Sequence, residues 1–465
     1  MAWSAASLMA LVVCVAVVRN PLQITDSLVP MLKVQDSSAW EVLMGKIDSG
    51  GFFRPLRFVQ IKLLLDGSGG HYNLAYKSFH VLFIAALFFV FVRVARVLTK
   101  HDALAFMYAL VVLTGMNTFL GMVWEEYAIN HFIEIAVFSI AAILLCQSRG
   151  GVIADTAAVV LLVVATLTLD SGPLVWVVVV AARLVGLRGV SRRGVTIMTG
   201  LLAAFIFYRL SGIGAPEAGE RATGFGFSRI EPADIQRRFV ETGHLSYFHL
   251  YNVVSAFASV FLSEPNDGRW LLTQRVVTGE IDPMVVTSIV SALVGTGLLV
   301  VFAIHRRAAW VARQFDHSDR LVIICVGVAL ANAAMCFSYV KDDIMSTAGV
   351  FYALAVFAAT RDALTRWSQA SRSIAVTAVL GLVLFASGAA WTVRTIGSQY
   401  QMLRIGATDR YEWAHVDEWL TQQDQTPTTP QGKRLVQDLR AEAMRTRPLS
   451  LLYVPRWAVK WFITE

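Results

Sequence analysis

Between the first two apolar runs of the chain, acidic and basic side chains are interleaved in a pattern suited to phosphate chemistry. Asp26, Asp36, Glu41 and Asp48 supply carboxylates, and Arg54, Arg57, Lys62 and Lys77 supply cations. A reaction on a lipid phosphate needs both: a base to take the acceptor's proton, and cations to hold the phosphate as it leaves. Spacing alone does not single out that chemistry, because a solvated loop carries the same residue types. A second group lies in GMVWEEYAINHFIE, where Glu126, Asn130 and Glu134 share one helix face and His131 precedes Glu134 by one turn. An ionisable residue inside an apolar run, as Glu134 is, must face a partner or a wet cavity. The stripe fits a polar packing network between helices, and a His–Glu metal site there would be short of ligands. Lys341, Asp342 and Asp343 form a third group, which fits a phosphate or acceptor contact and equally a solvated helix cap.

The elements that must hold these residues are membrane helices. The chain is 56% hydrophobic and only 16% charged, with a mean hydropathy of +0.58, which excludes an ordinary soluble domain. Its net charge of +7 does not indicate a nucleic-acid partner, because Lys and Arg cluster at the ends of apolar runs rather than along one polar face. Cys14, Cys146, Cys325 and Cys336 lie within or beside apolar runs, without the spacing of a metal site or a disulfide framework, and read as small core residues.

With roughly 17 to 25 apolar residues needed per crossing, the sequence predicts spans near 3–18, 78–98, 103–121, 128–146, 153–169, 172–187, 194–211, 284–304, 321–340, 346–361 and 373–394. The first is expected to be a retained span, since no basic residue precedes it and no small-residue cleavage site follows. The fold class is therefore an all-α polytopic membrane protein of about 11 transmembrane helices. Every second connection is basic: Arg93, Arg96 and Lys100; Arg149; Arg183, Arg188, Arg192 and Arg193; Arg306, Arg307 and Arg313; Arg361, Arg366 and Arg372. These should face the cytoplasm together with the N-terminus.

The alternate connections then face outward: the first loop 19–77, Glu125 and Glu126, Asp170, the large loop 212–283, and Lys341 to Asp343. Residues 246–263 are apolar enough to cross, yet crossing would put the basic 305–320 connection outside, so an interfacial or re-entrant segment is expected. The transmembrane module should occupy 1–394. Residues 395–465 should form a small outward tail of short helices, with Thr426 to Gln431 as a linker-like break. High Ala, Val and Arg usage is that of a GC-rich bacterial sequence, which places the chain in a bacterial inner membrane with a periplasmic C-terminus.

An acidic residue soon after the first span, an Arg-Pro-Leu some thirty residues on and a His opening the second span are here Asp26, Arg54-Pro55-Leu56 and His80. In this the chain resembles the polyprenyl-phosphate-dependent glycosyltransferases of the GT-C superfamily, especially the protein O-mannosyltransferase-like branch. The motifs cover about the first 135 residues, and the remainder follows by topology. The resemblance implies a GT-C-like fold with outward loops and interfacial helices, and an inverting transfer of a sugar at the periplasmic face from a polyprenyl-phosphate donor to a glycan, lipid or protein acceptor. It implies Asp26 as base, with Glu125 or Glu126 positioning the acceptor or a metal. Arg54, Lys77, His80, His131, Asp342, Asp343 and Arg394 are then candidates for donor and acceptor contacts. No cofactor is required, although a divalent metal is compatible with the carboxylates. The chain departs from the family where Asp26 is followed by Ser27 instead of a second acid, and where Asp170-Ser171-Gly172 stands in place of a Lys-Glu pair.

Two other classes compete. A lipid-linked glycan flippase or transporter would show repeats or matching broken spans, and none is visible. A polysaccharide polymerase or ligase would concentrate its cations in the large loop, where Arg221, Arg229, Arg237, Arg238 and His244 lie.

Overall fold

The computed structural model describes residues 1–48, 53–124, 131–211, 221–264, 267–369 and 374–446. The described chain is almost wholly helical, with one short antiparallel hairpin, Thr223–Phe225 paired to Ser228–Ile230. A helix occupies each predicted apolar run: Ala2–Val18, Tyr72–Ala95, Lys100–Gly115, His131–Gln147, Val152–Thr168, Leu174–Leu184, Arg192–Leu210, Pro283–Val311, His317–Met335, Ser346–Gln369 and Ile374–Ala414. Among the described residues, 6 helices are able by length and composition to cross a membrane, or 7 if a bent pair counts as one. Ala2–Val18, His131–Gln147, Val152–Thr168 and Leu174–Leu184 are apolar but shorter, at 17, 17, 17 and 11 residues.

The bent pair corrects the expectation of one continuous helix over 103–121. Lys100–Gly115 and Asn117–Val123 meet at 67°, because Met116 leaves the helical region with ψ at 142°. The break lets helix Ile374–Ala414 approach closely: a Cβ on Gly115 would lie 2.8 Å from the Trp391 carbonyl oxygen. Gly115 therefore admits a backbone that any larger residue would push away.

Local sequence also sets where helices start. Thr99 and Asp102, and Asp316 and Asp319, form reciprocal capping boxes. Ser191 caps through the Gly194 N–H and Asp282 through the Val285 N–H. Each satisfies donors that the first helical turn leaves without partners.

Connections between helices fall into two sets, each bonded within itself. In the basic set, Arg96 donates to Gln147 at 2.7 Å, the Gly189 N–H donates to the Cys146 carbonyl at 2.9 Å, and Arg361 joins Ser318 and Asp102. In the other set, Arg54 meets Asp170, the Val340 N–H meets Thr223, and the Asp342 N–H donates to Asp267 at 3.0 Å.

Residues 245–261 form a single helix whose chain turns back instead of passing to the basic set. The Tyr251 hydroxyl donates to the Gly268 carbonyl at 2.6 Å and Trp270 Nε1 donates to Ser255 at 2.8 Å. At its far end, Thr296 donates to the Phe261 carbonyl.

The tail is joined to the helical body without a break, since helix Ile374–Ala414 runs straight through residue 394. It continues into helices Val416–Gln422 and Pro430–Arg445. These pack on the first loop in a second core that joins Ile24, Leu28, Met31 and Ile61 to Trp413, Leu420, Leu435 and Leu439. Trp413 Nε1 donates to the Leu22 carbonyl, Asn20 donates to Met402 at 2.9 Å, and the Asn73 N–H donates to Glu442 at 2.8 Å.

Candidate functional site

Where the non-basic connections converge they enclose a cavity of about 320 Å³. Arg54 enters from the N-terminus of helix Pro55–Gly67, where Pro55 starts the helix and needs no N–H partner. Asp170 and Ser171 come from the turn between Val152–Thr168 and Leu174–Leu184, and Arg209 from the last turn of Arg192–Leu210. Arg221 comes from the large loop, while Tyr339 and Lys341 follow helix His317–Met335.

Charge in this cavity is arranged around one acid. Arg54 donates through Nε and Nη2 to Asp170 Oδ2 at 3.0 and 2.8 Å. Arg209 Nη2 lies 3.1 Å from Asp170 Oδ1. The Arg221 guanidinium stands 5.3 Å from the centroid of the Tyr339 ring, close enough for a cation–π contact. Burial raises the Tyr339 phenol above its ordinary value, with Arg221 and Arg54 acting in the other direction, so it stays protonated as a donor. Lys341 lines the wall and pairs with Asp343. Among the described residues, four cations and one carboxylate line the cavity, an arrangement that attracts an anion with several acceptor oxygens.

Next to it lies a second, apolar groove of about 280 Å³ walled by Phe53, Leu162, Val163, Leu201 and Tyr208. Phe205 lines both spaces. The boundary is made by two consecutive pairs: Phe53 and Tyr208 face the groove, and their neighbours Arg54 and Arg209 face the cavity. The Phe53 and Tyr208 rings sit 5.0 Å apart and hold that border. Helix Arg192–Leu210 has only 17% of its apolar window buried, so the groove runs along an element whose outer face is open.

Among the described residues, Arg54 is the one residue assigned a role by the family resemblance that lines this cavity, joined by Asp170, Arg221 and Lys341, which the sequence placed in outward connections, and by Phe132 beside His131. Asp26 lies half-buried in a single π-helical turn, Ile24–Leu28, and is not part of the cavity wall. Glu125 and Glu126 lie outside the described residues. Lys77 and His80 are buried one turn apart on helix Tyr72–Ala95. The Nε2 atom of His80 has no hydrogen-bond partner among the described residues.

His131 and Glu134 are fully buried with Nδ1 3.7 Å from Oε1, and Gln60 of the first loop donates to Glu134 Oε2 at 3.0 Å. Among the described residues they belong to no group of three metal-ligating side chains. Asp342 and Asp343 open a short 3-10 turn, Asp342–Met345, with Asp343 packed against Gly121.

Arg394 sits elsewhere. It is half-buried in the helical body, donating to the Gly115 carbonyl at 3.1 Å and to Ser291 at 2.9 Å, with its guanidinium 4.4 Å from the Trp391 ring. A cation at a broken helix end satisfies a carbonyl left without its intrahelical partner, and Arg394 makes that contact at the bend beside Met116.

Sequence reasoning missed Arg209 and Tyr339. Arg209 had a signal, an arginine inside the last turn of an apolar run, which membrane energetics disfavours unless it has a partner. Tyr339 had none. Comparison of the chain with protein-family models, curated proteins and solved structures finds no match.

Proposed function

We propose that the chain is a GT-C-like membrane glycosyltransferase of about eleven crossings that moves a sugar from a polyprenyl-phosphate donor to a glycan, lipid or protein acceptor at the periplasmic face of a bacterial inner membrane. One observation carries the reading: a four-cation cavity shares Phe205 with an apolar groove, and the pairs Phe53-Arg54 and Tyr208-Arg209 straddle the border. A lipid phosphate has that polarity, an anionic head joined to an apolar tail.

In this reading Arg54, Arg209, Arg221 and Lys341 hold the phosphate. Bidentate guanidinium contacts favour its orientation, and the charge that builds on it as the sugar leaves is stabilised by cations already in place. Phosphate is a good leaving group, so one base acting on the acceptor completes an in-line, inverting displacement. Asp170 is a poor choice for that base because two arginines already occupy its oxygens. Asp26 keeps the role on the family resemblance, with Glu125 or Glu126 positioning the acceptor. Neither the donor nor the base step calls for a cofactor.

The test is transfer of sugar from a panel of radiolabelled polyprenyl-phosphate sugars by purified protein, comparing wild type with Arg209→Gln and Asp26→Asn. Transfer that falls with both variants supports the reading; transfer indifferent to both sinks it. A polysaccharide polymerase or ligase is the second reading, favoured by the position of Arg221 of the large loop in the cavity wall. It requires a polyprenyl-diphosphate glycan as donor, so including one in the panel separates the two.

A further inference from the structure

A third space, of about 370 Å³, lies far from the cationic cavity, between helices Pro283–Val311, Ser346–Gln369 and Ile374–Ala414. Its size falls within the roughly 300–1,000 Å³ of small-ligand sites. Most of its wall is apolar, built from Gly297, Val301, Leu380 and Val383. Val301 and Val383 are 49% and 42% exposed, so the space opens sideways onto the surface that the bilayer would cover.

One end of the space is polar. His305, Asp362 and Arg366 close it, with Trp367 beside them. Asp362 accepts from Arg366 Nε at 2.9 Å, both partly exposed. The next residues along, Arg306 and Arg307, differ: Arg306 is committed to Asp316 and Asp319, while Arg307 is exposed. This is the end of the protein where the basic connections meet, and the cytoplasmic leaflet opposite such a surface is rich in anionic lipid. An indole at that depth suits the headgroup boundary.

We infer that this crevice is a binding site for an anionic phospholipid of the basic-side leaflet, with an acyl chain between the three helices and the phosphate at His305 and Arg366. The occupant follows from the wall: an apolar slot open to lipid, ended by His305 and the Arg366–Asp362 pair at the side where the basic connections meet. It does not depend on the glycosyltransferase reading, since no residue is shared with the cationic cavity.

Gly297 supplies the cleanest test. A Cβ placed there meets no atom within 4 Å, so Gly297→Leu directs its side chain into the slot from an open position and removes a glycine from a helix interior. Native mass spectrometry of the protein released from nanodiscs of mixed phosphatidylglycerol and phosphatidylcholine reads retained lipid directly. Wild type is expected to keep phosphatidylglycerol in preference to phosphatidylcholine. Gly297→Leu should lose that lipid with an unchanged or higher melting temperature, and Val301→Phe, one turn along the same wall, repeats the test if Gly297→Leu folds poorly. Arg366→Gln should lower the phosphatidylglycerol preference about tenfold, the size expected for one charge-assisted contact. Arg209→Gln, in the other cavity, should leave the preference intact. Equal retention of both lipids by wild type, or retention unchanged in Gly297→Leu and Val301→Phe, overturns the assignment.

Discussion

Arg54 places both Nε and Nη2 on one carboxylate oxygen of Asp170, at 3.0 and 2.8 Å, although 116 residues separate them. Arg209 takes the other oxygen at 3.1 Å. One acid therefore holds two arginines from different elements at a fixed separation. If the cavity takes a phosphate as proposed, it meets guanidinium groups already oriented, which lowers the entropic cost of binding.

That arrangement separates the two partners in experiment. Arg54→Gln or Arg209→Gln removes a charged donor from the anion, worth about 1.5–3 kcal/mol. Donor affinity should fall about 10- to 100-fold, with the fold retained. Asp170→Asn leaves two half-buried cations without their acid, so it should cost stability of about 1–3 kcal/mol and lower the melting temperature. Thermal unfolding alongside donor binding distinguishes these outcomes. If Asp170→Asn weakens binding and leaves the melting temperature unchanged, the carboxylate does not organise the arginines.

Arg394 should behave in the opposite sense from Arg209. It donates to the Gly115 carbonyl and to Ser291 and stacks on Trp391, all within the packed body. Removing a half-buried hydrogen-bonded cation leaves its partners unsatisfied, at about 2–4 kcal/mol. Arg394→Met should therefore lower the melting temperature and leave the donor KM of the folded fraction near wild type. Arg394→Lys should rescue little, because a single ammonium cannot reach both acceptors in the planar geometry of a guanidinium. A changed KM with unchanged stability would return Arg394 to the substrate.

Gly115 should tolerate no larger side chain. Its Cβ would meet the Trp391 backbone oxygen at 2.8 Å, and backbone cannot move aside as a flexible side-chain end can. Gly115→Ala should cost about 1–3 kcal/mol, the usual range for overpacking, despite alanine's higher helix propensity. The comparison is Gly297→Ala in a neighbouring helix, which meets nothing within 4 Å and should be neutral or stabilising. Equal effects at the two positions would show that the close approach of helix Ile374–Ala414 does not matter.

Much of this architecture was legible from apolar run length and from the alternation of basic and acidic connections. Helices occupy the runs read from the sequence, and the connections bond within the two predicted sets. The capping pairs Thr99 with Asp102 and Asp316 with Asp319 follow from residue type at the start of a run. The break at Met116 was not legible, because Thr114 and Gly115 sit in a run whose mean hydropathy is uniform. It goes with the close approach of Trp391, far away in sequence. The site was legible in part. Arg54, Asp170, Arg221 and Lys341 each stood out, but no local pattern joins four separate connections around one cavity. Arg209 was hidden by its apolar neighbours, and Tyr339 carried no signal beyond its type. The tail gave the same lesson: Trp413 and Leu435 pack on Ile24 and Leu28 of the first loop through tertiary contacts only.

The bilayer orientation gives the last prediction. If the basic connections face the cytoplasm, the tail and the first loop face the opposite compartment together, since Trp413 donates to the Leu22 carbonyl and Asn20 to Met402. Thr426 lies in an exposed stretch between helices Val416–Gln422 and Pro430–Arg445, and Arg188 lies in a basic connection bonded to Cys146 through Gly189. The four native cysteines are buried or half-buried, so a new exposed thiol dominates labelling. In intact cells with a permeabilised outer membrane, a membrane-impermeant maleimide should label Thr426→Cys. It should reach Arg188→Cys only after the inner membrane is disrupted. Asn73, whose N–H donates to Glu442 at 2.8 Å, should follow Thr426 when changed to cysteine, because the tail holds it on the same side. Labelling of Thr426→Cys and Arg188→Cys from the same compartment would mean that Leu245–Phe261 crosses as well, or that one of the five long helices between the two positions does not. The face assigned to the tail and the first loop would then fall, and the periplasmic site proposed for the donor with it.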